Sequence, residues 1–244
     1  MIYVIFTYRD DAAALTQCLR GISAVDPLAK IAIFDDSENP LPCPPEQCYY
    51  SQTNFHRGGN LNGIKCVAGI LRSFLAAMDF YNEEAIVKID SDIILLHPPK
   101  FKKETEYGGA EGRYWGFAAG AYYYTTRNVS QASLDYIRGR DWVENSKFPE
   151  DETIGRLATM QTNNWEIFTE RDDRLRGIGE ISSEHLKFQA EWGSSETSIA
   201  LHFGQMRIPD LAGLPRPHAR FKVAKAMEDF LSIYYLTHVN RPLS

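Results

Sequence analysis

The chain has no C-x-x-C pair and no cysteine spacing of the zinc-binding kind; its four cysteines are Cys18, Cys43, Cys48 and Cys66. They are expected to be thiols in a reducing compartment, and the sequon Asn128-Val129-Ser130 to be a chance match. A basic excess is missing too. Lys and Arg total 26 against 32 Asp and Glu, a formal charge of −6, which argues against a nucleic-acid partner. No apolar run is long enough to span a bilayer. The opening segment Ile2–Phe6 is too short even for a signal-peptide core and no basic stretch precedes it, so a cytoplasmic chain without a transmembrane segment is expected. No G-x-x-x-x-G-K-[ST] segment exists, which excludes a P-loop. Internal repeats, low-complexity tracts and flexible linkers are also lacking. What remains is an ordinary globular composition, 44% hydrophobic and 24% charged over 244 residues, enough for one substantial α/β domain.

Hydrophobic periodicity divides the first half into alternating elements. Ile2–Phe6, Lys30–Phe34, Cys48–Gln52 and Ala85–Ile89 read as strands. Ala12–Ile22 carries Leu15, Cys18, Leu19 and Ile22 at helical spacing. Asn60–Tyr81 has a longer stripe of Ile64, Val67, Ala68, Leu71, Leu75 and Met78. This alternation points to a mostly parallel sheet with helices on its faces, where ligands bind beyond the carboxyl ends of strands. In the second half, Trp115–Thr125, Asn164–Thr169 and Thr197–Phe203 are expected strands, and Val129–Arg138 and Asp151–Met160 expected helices. A terminal helix over Ala219–His238 would gain its apolar surface from Phe221, Ala224, Phe230, Leu231, Tyr234 and Tyr235.

Polar clusters fall at three strand ends: Thr7-Tyr8-Arg9-Asp10, Asp35-Asp36-Ser37 and Asp90-Ser91-Asp92. Residues i and i+2 of an extended chain share a side, so Asp90 and Asp92 can converge on one point. Two like charges placed together need a positive partner, and oxygen ligands suit Mg²⁺ or Mn²⁺. On this reasoning, neutralising Asp92 would relieve repulsion in the metal-free protein. An exposed acidic turn is the competing reading. His202 also stands at a strand end, before Phe203-Gly204, and is either a further ligand or structural. Arg57-Gly58-Gly59-Asn60-Leu61-Asn62-Gly63 precedes the long helix. It offers a cation and close backbone approach to an anion, or simply a turn capped by Asn60. Pro149-Glu150-Asp151-Glu152 opens a helix, where the dipole alone favours acids; a general base is the alternative.

The order of these segments resembles GT-A-fold, nucleotide-sugar-dependent glycosyltransferases of the family 2 and Fringe-like kind. Asp90-Ser91-Asp92 matches their D-x-D metal motif. Lys88-Ile89-Asp90-Ser91-Asp92 resembles the K-x-D-x-D form of Fringe-like and β-galactosyltransferase relatives. Asp35-Asp36-Ser37 resembles the second-strand acid that contacts the nucleoside, and Gly116–Tyr123 the small-residue strand beside the donor sugar. Glu150-Asp151 resembles the pair whose aspartate is the base in inverting members, and His202 falls where a metal-binding histidine is expected. The resemblance covers residues 2–205 and implies a GT-A α/β domain over 1–205, with a helical extension over 206–244 packed on it.

It further implies transfer of a sugar from a nucleoside diphosphate, UDP in the expected case, to a glycan or other acceptor hydroxyl, with inversion. Asp90, Asp92 and His202 would hold Mn²⁺ or Mg²⁺, and Asp151 would be the base. Thr7, Tyr8, Arg9 and Asp36 would line the nucleoside, with Arg57, Asn62, Lys88 and Ser91 among the donor-binding residues. Two competitors are a sugar-phosphate nucleotidyltransferase and a non-catalytic nucleotide- or sugar-binding protein. The first would resemble G-x-G-x-R after strand one, where this chain has Thr7-Tyr8-Arg9-Asp10-Asp11 and no glycine.

Overall fold

An apolar run without polar alternation, such as Ile2–Phe6, belongs to a strand covered on both faces. The computed structural model describes residues 1–7, 10–41, 48–55, 63–111, 118–138, 150–168, 174–195, 197–204 and 208–239. In it β1 (Ile2–Thr7) is buried along its whole length. Strands β2 (Lys30–Asp35) and β4 (Ala85–Asp90) flank β1 in parallel, with Phe6 opposite Phe34 on one side and Asp90 on the other. The strand β3 (Tyr49–Gln52) adds in parallel outside β2. Beyond β4 the direction reverses: β7 (Ala118–Thr126) runs antiparallel to β4, and β6 (Tyr107–Glu111) antiparallel to β7. The last strand, β8 (Trp165–Phe168), lies parallel to β6. The seven strands follow the order β3-β2-β1-β4-β7-β6-β8. The parallel strands bring Thr7, Asp35, Gln52 and Asp90 to one edge, the carboxyl ends.

This sheet belongs to the first of two compact units, Met1–Arg9, Ala29–Asp90 and Lys100–Thr169. Its core joins Val4, Phe6 and Ile86 of the sheet to α2 (Gly63–Tyr81), α3 (Arg127–Ile137) and α4 (Glu150–Gln161). Helix α2 buries Val67, Ile70, Leu71, Phe74, Ala77 and Met78, whereas the expected stripe positions Ala68 and Leu75 are only partly buried. The aromatic ring of Phe74 sets this rotation, meeting Phe6 at 5.9 Å and Tyr123 at 6.1 Å. Asn82 ends α2 in the left-handed region (φ 52°), and the Glu83 N–H returns to the Met78 carbonyl at 3.0 Å.

The second unit comprises Asp10–Leu28, Ser91–Pro99 and Glu170–Ser244. Its three-stranded sheet has β10 (Ala200–His202) between β5 (Ile93–Leu95), antiparallel, and β9 (Leu175–Gly177), parallel. Helices α1 (Ala12–Val25), α5 (Ser183–Gly193) and α6 (Arg216–Tyr234) complete it, α6 continuing as a π turn over Tyr235–Val239. Helix α1 buries Leu15, Cys18 and Ile22 as its spacing predicts. The buried stripe of α6 is Ala219, Arg220, Val223, Ala224, Ala226, Met227, Phe230 and Leu231. Phe221, expected on the apolar face, is 69% exposed: it lies one position off that stripe. Strands β5, β6 and β9 and helix α5 have no counterpart among the expected elements. Among the described residues no helix is long and apolar enough to cross a membrane.

Candidate functional site

In the first unit the acid at the end of β4 has a cation on its own strand. Lys88 and Asp90 share a side, two residues apart. The buried Lys88 ammonium pairs with Asp90 Oδ1, donates to the Gly120 carbonyl at 2.7 Å, and lies 5.6 Å from the centre of the Tyr123 ring. Gly120 has φ +79°, a conformation open to glycine and strained for other residues. A Cβ built there would stand 3.4 Å from Asp151 Oδ2, so the acid that begins α4 lies against this glycine. Burial, with the neighbouring Glu150 charge, pushes the Asp151 carboxyl up to about 6; Lys88 pulls the other way. Asp151 Oδ1 also accepts from the Glu152 N–H at 2.7 Å, the helix-start role that its position suggests. A carboxylate that titrates near neutrality is suited to proton transfer, and this one sits beside a lysine and a second acid.

In the second unit Asp92 is buried and engaged through both oxygens. Its Oδ2 accepts from Arg220 Nη1 at 2.7 Å, and its Oδ1 lies 3.3 Å from His202 Nε2. The β-pairing that places them extends beyond the strands, since the Phe203 N–H donates to the Asp92 carbonyl at 2.9 Å. Burial works against the Asp92 charge, yet the His202 ring and the Arg220 guanidinium hold its carboxyl well below the usual carboxylate range. The same guanidinium reaches Asp11 Oδ1 at 2.6 Å through Nε and Ser91 Oγ at 3.3 Å through Nη2. Ser91 Oγ in turn donates to Asp11 Oδ2 at 3.0 Å. Asp11 occupies the N-cap position of α1 but makes no side-chain cap bond there. Its carboxylate is turned to Arg220 and Ser91 instead. Burial raises Asp11 to about 6, against the pull of Arg220.

Of the residues singled out in the sequence, Lys88, Asp90 and Asp151 therefore gather in the first unit, and Ser91, Asp92 and His202 in the second. Thr7 is fully buried at the end of β1, and its hydroxyl has no hydrogen-bond partner among the described residues. Asp36 Oδ1 accepts from Thr53 Oγ1 at 3.0 Å and the Phe55 N–H at 2.6 Å, pinning the segment after β3. Its neighbour Asp35 is consumed structurally. Burial raises its carboxyl, but bonds from Ser37, Leu41 and Tyr50 outweigh that and leave it lowered. Tyr8, Arg9, Arg57 and Asn62 lie outside the described residues.

Sequence reasoning missed Asp11 and Arg220. Both had a signal: Arg220 interrupts an otherwise apolar stripe at the 219/220, 223, 226/227, 230 spacing of α6, and a charge inside such a stripe needs a buried partner. Asp11 had a weaker one, because an acid before a helix is ordinarily explained as its cap.

The donor types beside one another in the second unit, a carboxylate oxygen and an imidazole nitrogen, suit a divalent cation. The edge of the His202 ring is kept clear of side chain on one side by Gly204. A Cβ there would come within 2.7 Å of His202 Cε1 and 2.8 Å of Nε2. The residues present thus fit a cation.

No family model and no curated protein sequence matches the chain. Solved structures do. The galactosyltransferase LgtC in complex with donor and acceptor sugar analogues aligns at TM-score 0.53 and 9% identity, covering 93% of this chain and 96% of that one. An active-site mutant of LgtC aligns at 0.52 and 11% identity, with the same coverage. The likeness is one of fold. The chain has the GT-A type of α/β architecture, a mostly parallel central sheet with flanking helices.

Proposed function

We propose that this chain transfers a sugar from a nucleoside-diphosphate sugar, with UDP as the nucleoside diphosphate, to an acceptor hydroxyl of a glycan or other molecule, using Mn²⁺ or Mg²⁺. The observation that carries the reading is the pair formed by Asp92 Oδ1 and His202 Nε2, 3.3 Å apart, in a GT-A fold and two residues after the acid that ends β4. In this reading Asp90, Asp92 and His202 hold the cation. When bound, the cation supplies Lewis-acid stabilisation of the charge that develops on the departing diphosphate. Thr7, Tyr8, Arg9 and Asp36 line the nucleoside, and the pairing of Thr7 with Asp35 at the carboxyl ends of β1 and β2 supports this. Arg57, Asn62, Lys88 and Ser91 complete the donor-binding set.

Asp151 takes the proton of the acceptor hydroxyl as that oxygen attacks the anomeric carbon from the face opposite the leaving group, which inverts the configuration. Its carboxyl, raised to about 6, is charged at neutral pH yet basic enough to accept that proton. Arginine and lysine partners on the acids keep the unliganded protein electrostatically balanced. A metal-free state that folds normally is therefore expected.

The test is a melting-temperature panel of nucleoside diphosphates with and without Mn²⁺, because a ligand that binds only the folded state raises the midpoint. UDP is expected to raise it only when Mn²⁺ is present, and Asp92→Asn to abolish that response. A panel in which no nucleotide shifts the midpoint under either condition would sink the reading. Proton NMR of the product from a matched donor and acceptor decides inversion.

A further inference from the structure

We propose that Arg220, on the C-terminal helix α6, is a positioning residue that restricts Asp92 to ligating the cation through a single oxygen; the proposal rests on the metal-site reading above. The two oxygens of Asp92 have different neighbours. Oδ2 is taken by Arg220 Nη1 at 2.7 Å, and Oδ1 faces His202 Nε2 at 3.3 Å. Only Oδ1 is thereby directed at the imidazole with which it would share a cation. Groups behind metal ligands commonly orient them in this way.

The guanidinium can do this because it is itself fixed. Nε sits 2.6 Å from Asp11 Oδ1, and Nη2 donates to Ser91 Oγ at 3.3 Å. The hydroxyl of Ser91 closes the ring by donating to Asp11 Oδ2 at 3.0 Å. Two partners, Asp11 and Ser91, thus hold one planar fork, and its third nitrogen is left at a set angle to Asp92. A lysine has the charge but not the fork, and it could serve Asp11 or Asp92 but not both with this geometry. The histidine side depends on a glycine, since the His202 ring packs where a Cβ on Gly204 would lie. Helix α6 is therefore part of the site's construction, although no residue of it would touch the cation.

The test measures Mn²⁺ affinity without nucleotide, by the EPR signal of free Mn²⁺, at a temperature well below each variant's melting midpoint. Arg220→Lys keeps the charge and is expected to weaken binding by about 10-fold or more, the usual scale for losing an outer-shell partner. Ser91→Ala loosens the fork with no change of charge and is expected to weaken binding in the same direction by less. Should Arg220→Lys fail to fold, Ser91→Ala decides alone. A lowered melting midpoint with wild-type Mn²⁺ affinity in the folded variants would mean that Arg220 is merely structural, and would overturn the inference. Asp92→Asn separates the two levels. If it binds Mn²⁺ as the wild type does, the metal reading falls and this inference with it. If it loses Mn²⁺ while Arg220→Lys does not, this inference alone falls.

Discussion

Asp90 is paired by Lys88, two residues before it on the same strand, and keeps 35% of its side chain exposed. Asp92 is paired by Arg220, 128 residues further along the chain, and keeps 10%. The first pair follows from strand geometry alone, since alternate residues share a side. The second needs helix α6 to bring an arginine to a buried acid. Their energetics differ accordingly. Water can reach the partly exposed Asp90, so its pair with the buried Lys88 is the weaker of the two, whereas removing one partner of a fully buried pair costs about 3–5 kcal/mol. The comparison also corrects the expectation that two neighbouring carboxylates need a metal to coexist. Each has its own protein cation, so neutralising Asp92 strips Arg220 of a partner, and the repulsion it eases is the one with Asp11 rather than with Asp90.

The largest expected effect lies on the Asp90 side, in chemistry rather than stability. Asp151→Asn should lower turnover by about 10²–10⁴-fold while sparing donor binding, as steady-state assays with a matched donor and acceptor would measure. Its stability should respond to pH with a definite sign. The folded Asp151 holds its proton to about pH 6, whereas the unfolded chain releases it near 3.8, so the wild type loses stability as pH rises across that window. Asparagine does not titrate. Urea unfolding should therefore favour the variant more at pH 7 than at pH 4, and turnover within a few-fold of wild type would remove Asp151 from the mechanism.

On the Asp92 side the next effect is one of folding. Arg220→Met should destabilise the protein by about 3–5 kcal/mol at pH 7, because it leaves the buried Asp11 and Asp92 without their cation. The loss should shrink towards pH 4, where Asp11 is protonated and has no charge left for Arg220 to pair. An equal loss at both pH values would mean that packing, not charge, is what Arg220 supplies.

The two acids can then be compared directly. Asp92→Asn should cost about 1.5–3 kcal/mol at pH 7, the scale of a hydrogen bond to a charged group and less than for a bare buried charge because Arg220 keeps Asp11, and Asp90→Asn should cost less. The depressed pKa of Asp92 fixes the sign of its pH dependence. Its contribution is present above the unfolded value of 3.8 and is lost as pH falls below it towards the folded pKa. Equal losses in the two variants, read by chemical denaturation, would erase the distinction between a strand-local and a tertiary pair.

A backbone effect tests the glycine beside Asp151. Gly120→Ala should cost about 1–2 kcal/mol through its backbone, at φ +79°, because the added Cβ would meet Asp151 Oδ2 only at an ordinary 3.4 Å. A loss in turnover much larger than the loss in stability would show that the position of Asp151 depends on Gly120 as well.

The sequence by itself determined the parallel half of the sheet, because Ile2–Phe6, Lys30–Phe34 and Ala85–Ile89 are apolar runs that only a doubly covered strand explains. It determined α1 and α2 through their stripes, and it placed Asp90 and Asp92 at a strand end. Tertiary structure alone decided the second sheet. Strands β5 and β9 have three residues each, too few for any period to appear, and the glycines of Tyr107–Glu111 hide β6. It also turned α2 towards Phe74, which depends on where Phe6 and Tyr123 stand and not on the helix. Above all, it decided which cation meets Asp92. Lys88 is legible beside Asp90 because covalent geometry fixes their separation, but Arg220 reaches Asp92 and Asp11 only after three separate stretches of chain have packed into one unit.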